Sequence, residues 1–190
     1  MIVKNIELKN KKSITIIDNI LPRASIEGLY AACAMSNYGL IGASNLDIQD
    51  MQNRKMICYI NDEFLYKNNF LIPEVQKVLM EQLKDTPVAF KSYINLGIHS
   101  ECPKIHVDHF ASGKGKTVLY YANYNWNINW AGETVFYNDD CDEIEYITPF
   151  IPGRILIFDS DIPHSAKQQT FDAPPYRFTI ALKFVDELPR

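Results

Sequence analysis

The sequence predicts a mostly β protein with helices gathered towards its N-terminal end. Two observations carry this. Up to about residue 86, apolar residues recur at helical spacing; beyond it they form short runs separated by turn residues. No internal repeat, low-complexity tract or linker interrupts the 190 residues. They are read as one domain, residues 1–190, with helical support over about 1–86 and a β core over about 87–186. Short strands punctuated by turns at this spacing suit a sandwich, a jelly roll or a barrel.

In chain order, SITIID (Ser13–Asp18) alternates apolar and polar residues and predicts a strand. NILPRASIEGLYAACAMS follows, with Ile26, Leu29, Ala32 and Cys33 at helical spacing, until Gly39 and Gly42 break the pattern. Residues 39–55 are polar and aperiodic, which predicts a long loop, either a lid or binding loop or a plain surface connection. PEVQKVLMEQLK (Pro73–Lys84) is the clearest helix, with Pro in the first position and Val75, Val78, Leu79 and Leu83 on one face. The apolar runs beyond Thr86 predict strands over 88–96, 104–110, 117–123, 133–137, 143–148, 154–158 and 176–184. ASGKGK (Ala111–Lys116) is hairpin-like, and NDDCD (Asn138–Asp142) and FIPGR (Phe150–Arg154) are turns.

Composition narrows the function. Hydrophobic residues are 47% and charged residues 22%, enough for a sizeable core. A net charge of −4 argues against non-specific nucleic-acid binding. Cys33, Cys58, Cys102 and Cys141 are scattered with no Cys-x-x-Cys pair, so free thiols are expected rather than a zinc ribbon or a disulfide framework. MIVKNIELKNKKS is too polar for a signal peptide, and no apolar run approaches the ~18 residues of a membrane helix. A cytoplasmic protein with neither nucleic acid nor membrane as partner is expected.

The residues that carry chemistry lie in the second half. In IHVDHF, His106 and Asp108 are two apart, so in a strand they share one face while Val107 and His109 take the other. Such a pair alone is more often a buried hydrogen bond than a metal site. His164, in DSDIPHSA, would complete a set of two histidines and one carboxylate. That set occupies one face of an octahedral metal and leaves the other open, a pattern that prefers iron. Arg177 follows in PYRFTIALKF, sharing a strand face with Thr179 and Ala181. A guanidinium in a β core needs an anionic partner. That partner is either a protein carboxylate or a substrate carboxylate gripped through two parallel hydrogen bonds. His99, His109, Trp126, Trp130 and the acidic run NDDCDEIE read as packing or solvated positions.

HVD, the later PH and R-F-T together resemble the 2-oxoglutarate/Fe(II)-dependent dioxygenases. The stretch YYANYNW, WAGETVFYNDD, ITPFIPGRILIFDSDIPHSA and YRFTIAL is similar to their prolyl 4-hydroxylase-like branch, over roughly residues 90–185. The resemblance implies a double-stranded β-helix core (jelly roll, cupin-like) braced by helices. It implies Fe(II) held by His106, Asp108 and His164, with Arg177 on the distal carboxylate of 2-oxoglutarate and Thr179 beside it. It also places Tyr93, Tyr121 and Thr134 around the cosubstrate, with Tyr120 exchanging roles with Tyr121 if the strand is displaced by one residue. Ala131-Gly132 replaces the family's Gly-Gly, Ala122 replaces a leucine, and KQQTFDAPP lengthens the path from His164 to Arg177.

The implied activity is hydroxylation of a C–H bond with dioxygen and decarboxylation of 2-oxoglutarate to succinate, ascorbate being a candidate reductant. The expected substrate is a prolyl residue of a peptide or protein. The alternatives are a free amino acid or other small molecule, and a non-catalytic metal-binding β-roll.

Overall fold

The structure is a computed structural model that describes residues 1–41, 55–99, 101, 103–108 and 115–187. Its strands are β1 (Ile2–Glu7), β2 (Ser13–Asp18), β3 (Gly39–Ile41), β4 (Lys55–Tyr59), β5 (Val88–Gly97), β6 (Gly115–Tyr121), β7 (Thr134–Tyr137), β8 (Ile144–Thr148), β9 (Ile155–Asp159), β10 (His164–Ala166) and β11 (Arg177–Val185). The α-helices are α1 (Arg23–Ala34), α2 (Asp62–Lys67) and α3 (Pro73–Gln82). Eight strands form a large sheet in the order β1-β2-β9-β6-β11-β5-β4-β3, and three form a small one, β10-β7-β8. The pairings are antiparallel. This is a mostly β jelly-roll core with helices on its outer side, the fold class that the sequence predicts.

Period two explains the layering. On β11, Phe178, Ile180 and Leu182 point to the helices, where they join Leu29 and Cys33 of α1 and Val75, Val78 and Leu79 of α3 in one core. The opposite face of the large sheet sends Ile14, Ile16, Tyr121, Leu156 and Phe158 towards Phe136 of the small sheet, making a second core between the sheets. Strands β9 and β11 are covered on both sides; β9 therefore reads as a nearly unbroken apolar run, while β11 alternates because its second face lines a polar cavity. Each fully buried aliphatic or aromatic side chain in these cores contributes about 1.5–3 kcal/mol.

Helix α3 forms where the sequence places it, with Pro73 in its first turn. Helix α2 has no long periodic pattern and is set by its ends. The Asn61 side chain accepts from the Phe64 N–H at 3.1 Å, Asp62 and Glu63 occupy the first turn, and Lys67 the last. The first 86 residues are less purely helical than expected. They supply β1 to β4, and β2 runs within the large sheet beside β9.

The expected strand over 104–110 is reduced, among the described residues, to one bridge between His106 and His164. Pro103 brings no N–H for a ladder, and the next main-chain bond goes elsewhere, from Asp108 N–H to the Ser160 carbonyl at 2.8 Å. His109, Cys102, the hairpin-like residues 111–114 and most of the expected loop, residues 42–54, lie outside the described residues. Cys33, Cys58 and Cys141 are free thiols. Among the described residues no helix is long and apolar enough to cross a membrane.

The two expected turns form. Asn138 accepts the Asp142 and Glu143 N–H groups at 3.1 Å each. Gly153 has φ of 80°, and its N–H reaches the Tyr121 carbonyl at 3.0 Å. Next to it, Arg154 clasps both carboxylate oxygens of Asp18 at 2.8 Å, tying the end of β2 to the start of β9.

Candidate active site

The site lies on the inner face of the large sheet, where β4, β5, β11 and β6 run side by side. Alternation brings Tyr93, Asn95 and Gly97 of β5, Arg177, Thr179, Ala181 and Lys183 of β11, and Thr117 and Leu119 of β6 to one cavity. The small sheet closes the other side with Thr134 and His164.

His106, Asp108 and His164 converge here, each offering one ligand atom within 4.8 Å of the others. The backbone sets this convergence. His106 and His164 exchange main-chain hydrogen bonds of 3.0 and 2.9 Å, which holds their rings 4.5 Å apart between centroids. The ring of His106 is bonded through Nδ1 to the Lys104 carbonyl at 3.0 Å, and that of His164 through Nδ1 to the Ile162 carbonyl at 2.9 Å. A carbonyl only accepts, so both Nδ1 atoms carry the proton and both Nε2 atoms keep a lone pair. Burial lowers the pKa of His164 to about 4, against the nearby Asp108 charge. Burial and the neighbouring Lys55 lower that of His106. Asp108 is also buried, which opposes its charge, yet Lys183, His164 and the Thr117 hydroxyl hold its carboxyl well below the usual range. Two neutral imidazoles and an ionised carboxylate suit a divalent cation.

Arg177 is 6% exposed and lines the same cavity. Its Nε donates to the Gly132 carbonyl at 2.8 Å, and the guanidinium lies 4.9 Å from the Phe150 ring centre and 5.7 Å from that of Tyr121. Gly132, at φ of 80°, makes room for it, since a Cβ there would stand 3.3 Å from Arg177 Cδ and Nε. Burial lowers the Arg177 pKa, while Glu101 and Glu133 act on it only through space. Arg177 Nη2 is buried with no hydrogen-bond partner. An N–H left open in a low-dielectric wall calls for an anion from outside the chain.

The remaining expected positions separate. Thr179, Tyr93 and Thr134 line the cavity, and the Thr179 hydroxyl accepts from Asn95 at 3.2 Å. Tyr121 is fully buried behind the wall, and its hydroxyl donates to Thr134 at 2.8 Å. Tyr120 faces the helices, edge-on to Phe70 at 5.2 Å. The exchange between the two tyrosines therefore does not occur. Trp126 packs in the core between the sheets, and its indole N–H reaches the Ala131 carbonyl at 2.9 Å.

Sequence reasoning missed Lys183. Its Nζ is bonded to Asp108 Oδ2 and, at 3.1 Å, to the Thr117 hydroxyl, which itself donates to that oxygen at 2.7 Å. The signal was present, because Arg177, Thr179 and Ala181 continue by twos to Lys183. Lys55, Glu101 and Gln169 also line the cavity; no motif pointed to them.

No protein-family model matches this sequence, and no curated protein does. Solved structures do. A prolyl-4-hydroxylase from Pseudomonas putida is 15% identical, covering 92% of each chain at a TM-score of 0.67. A prolyl hydroxylase from Trichoplax adhaerens, solved with a hypoxia inducible factor peptide fragment, is 20% identical over 91% of this chain and 83% of its own, at 0.64. The epimerase SnoN of nogalamycin biosynthesis, solved with Fe3+, α-ketoglutarate and nogalamycin RO, is 12% identical over 93% of this chain and 80% of its own, at 0.69. Across nearly its whole length, the chain has the fold that these hydroxylases and the α-ketoglutarate-binding epimerase share.

Proposed function

We propose that the protein is a 2-oxoglutarate- and Fe(II)-dependent oxygenase that hydroxylates a C–H bond of a prolyl residue in a peptide or protein. One observation carries the reading: two imidazole Nε2 atoms and a carboxylate converge on a cavity whose wall also holds a buried guanidinium with an open N–H. His106, Asp108 and His164 would hold the metal, and Arg177 the distal carboxylate of 2-oxoglutarate beside the Thr179 hydroxyl. Bound Fe(II) and 2-oxoglutarate supply the oxidation, with dioxygen consumed and succinate and carbon dioxide released. The chain orients and encloses. The two carbonyl-anchored imidazoles fix the ligand geometry. Phe150 and Tyr121 wall the guanidinium from water, which strengthens its hold on an anion. Tyr93 and Thr134 flank the space between.

Likeness to two prolyl hydroxylases supports the prolyl substrate. Likeness of the same grade to SnoN, whose structure holds nogalamycin RO, supports a second reading in which the substrate is a small molecule. Supplying Fe(II), 2-oxoglutarate and oxygen and measuring succinate tests the chemistry. Stimulation by proline-containing peptides, lost in His106→Ala, is expected. His106-dependent succinate that no peptide stimulates would select the small-molecule reading, and its absence under all conditions would end the proposal.

A further inference from the structure

Lys183 places a second cation on the carboxylate that the reading above gives to the metal. It is 6% exposed, and its ion pair among the described residues is with Asp108. The pairing is built into the sheet, because Lys183 and Thr117 are cross-strand partners on β11 and β6 and both bond Asp108 Oδ2. Lys55 lines the same cavity, Lys91 stands opposite Lys183 on β5, and both add repulsion. Without Asp108, a buried ammonium in such company would be costly. A lysine is therefore tolerated here because a carboxylate answers it.

A divalent ion at His106, Asp108 and His164 must share that carboxylate with the ammonium. Repulsion between the two grows with the charge of the ion. We propose that Lys183 is a built-in counter-cation: it neutralises Asp108 in the metal-free protein, weakens the hold on a bound divalent ion, and favours Fe(II) over Fe(III). This rests on the metal role of Asp108. Lys183 thereby acts through Asp108 as a positioning residue, and its effect is the opposite of a mere scaffold's. A scaffold that only oriented Asp108 would bind metal less well when removed.

The test uses the full metal-free chain, with Co(II) titrations followed by visible absorption and calorimetry, and the Fe(III)/Fe(II) midpoint of the iron-loaded protein. Lys183→Gln should bind Co(II) about tenfold more tightly than the wild type. Its midpoint should fall, by about 59 mV for each tenfold gain of Fe(III) binding over Fe(II). Metal-free Lys183→Gln should melt roughly 10 °C lower, with Co(II) restoring the loss. Equal or weaker Co(II) binding, or an unchanged midpoint, overturns the inference and leaves Lys183 a scaffold. If the single variant does not fold without metal, Asp108→Asn/Lys183→Met, which removes both charges, should recover near-wild-type melting; failure to recover overturns the counter-cation role. Wild-type protein that binds no Co(II) in a His106-dependent manner sinks the proposed function and this inference together. Wild-type binding with no gain in Lys183→Gln sinks the inference alone.

Discussion

His106 and His164 are joined by their main chains, each donating its N–H to the carbonyl of the other, at 3.0 and 2.9 Å. His106 belongs to no named strand, yet this one bridge sets its ring against β10. The bonds do not involve the imidazoles. His106→Ala should therefore leave the melting temperature of the metal-free protein within a few degrees of wild type while abolishing stoichiometric binding of Mn(II) or Co(II). A titration beside a thermal melt checks this, and a melt lowered by 10 °C or more would show that the ring itself holds the segment.

Arg177 carries a buried charge with an unpartnered Nη2. If Arg177 grips 2-oxoglutarate as proposed, Arg177→Met should weaken its binding about 100-fold or more, through loss of the charge-assisted bonds and shielded ion pair that this role requires. The same substitution should raise the melting temperature of the ligand-free protein, because an apolar chain of similar length replaces a desolvated cation. Calorimetric titration and a melt separate the two effects. A variant that loses stability while binding 2-oxoglutarate normally would assign Arg177 to the fold instead.

His164 gives the acid limb of stability a sign. Its folded pKa, about 4, lies below the ordinary 6.5. Between those values the unfolded chain takes up a proton that the folded chain refuses. Stability is thus fully present above about pH 6.5 and falls as pH drops towards 4, by on the order of 3 kcal/mol from this group. His164→Gln should flatten the melting temperature of the metal-free protein over that window. An equally steep profile would mean that other groups dominate it.

Gly153 sits at φ of 80°, where a side chain is strained, and a Cβ would meet Ile26 Cδ1 of α1 at 2.5 Å. The Ile26 tip can move aside, so the backbone dominates. Gly153→Ala should cost about 1–2 kcal/mol in a denaturant titration with an unchanged m-value. No loss would show that the turn between β8 and β9 relaxes freely.

Six strands of the second half were legible because both sheets impose period two, and β11 shows it in Arg177, Thr179 and Ala181 against Phe178, Ile180 and Leu182. Helix α3 was legible from its apolar stripe and its Pro73 start. Strands β1, β3, β4 and the three-residue β10 were not. β1 is an exposed edge and carries no buried face, while β3 is three residues long. In the site, His106, Asp108, His164 and Arg177 could be read from residue type and order. The pairing of Lys183 with Asp108 depends on the register of β11 against β6, which spacing along the chain does not encode. Tyr121 reads as a wall residue from its place on the strand, but its hydroxyl turns to Thr134.

Strand β11 serves two masters, feeding the cavity with one set of side chains and the helix-covered core with the other. A single inserted or deleted codon there would reverse the faces of every residue beyond it, driving charge into the core and phenylalanine or leucine into the cavity, so cavity lining and folding would be lost at one stroke. The connection over residues 167–176 divides these roles among separate residues: Lys167 and Gln169 line the cavity, Ala173 packs between the sheets, and Phe171 is exposed. The strand therefore has no freedom in its length, and variation falls instead to exposed positions of the connection such as Phe171.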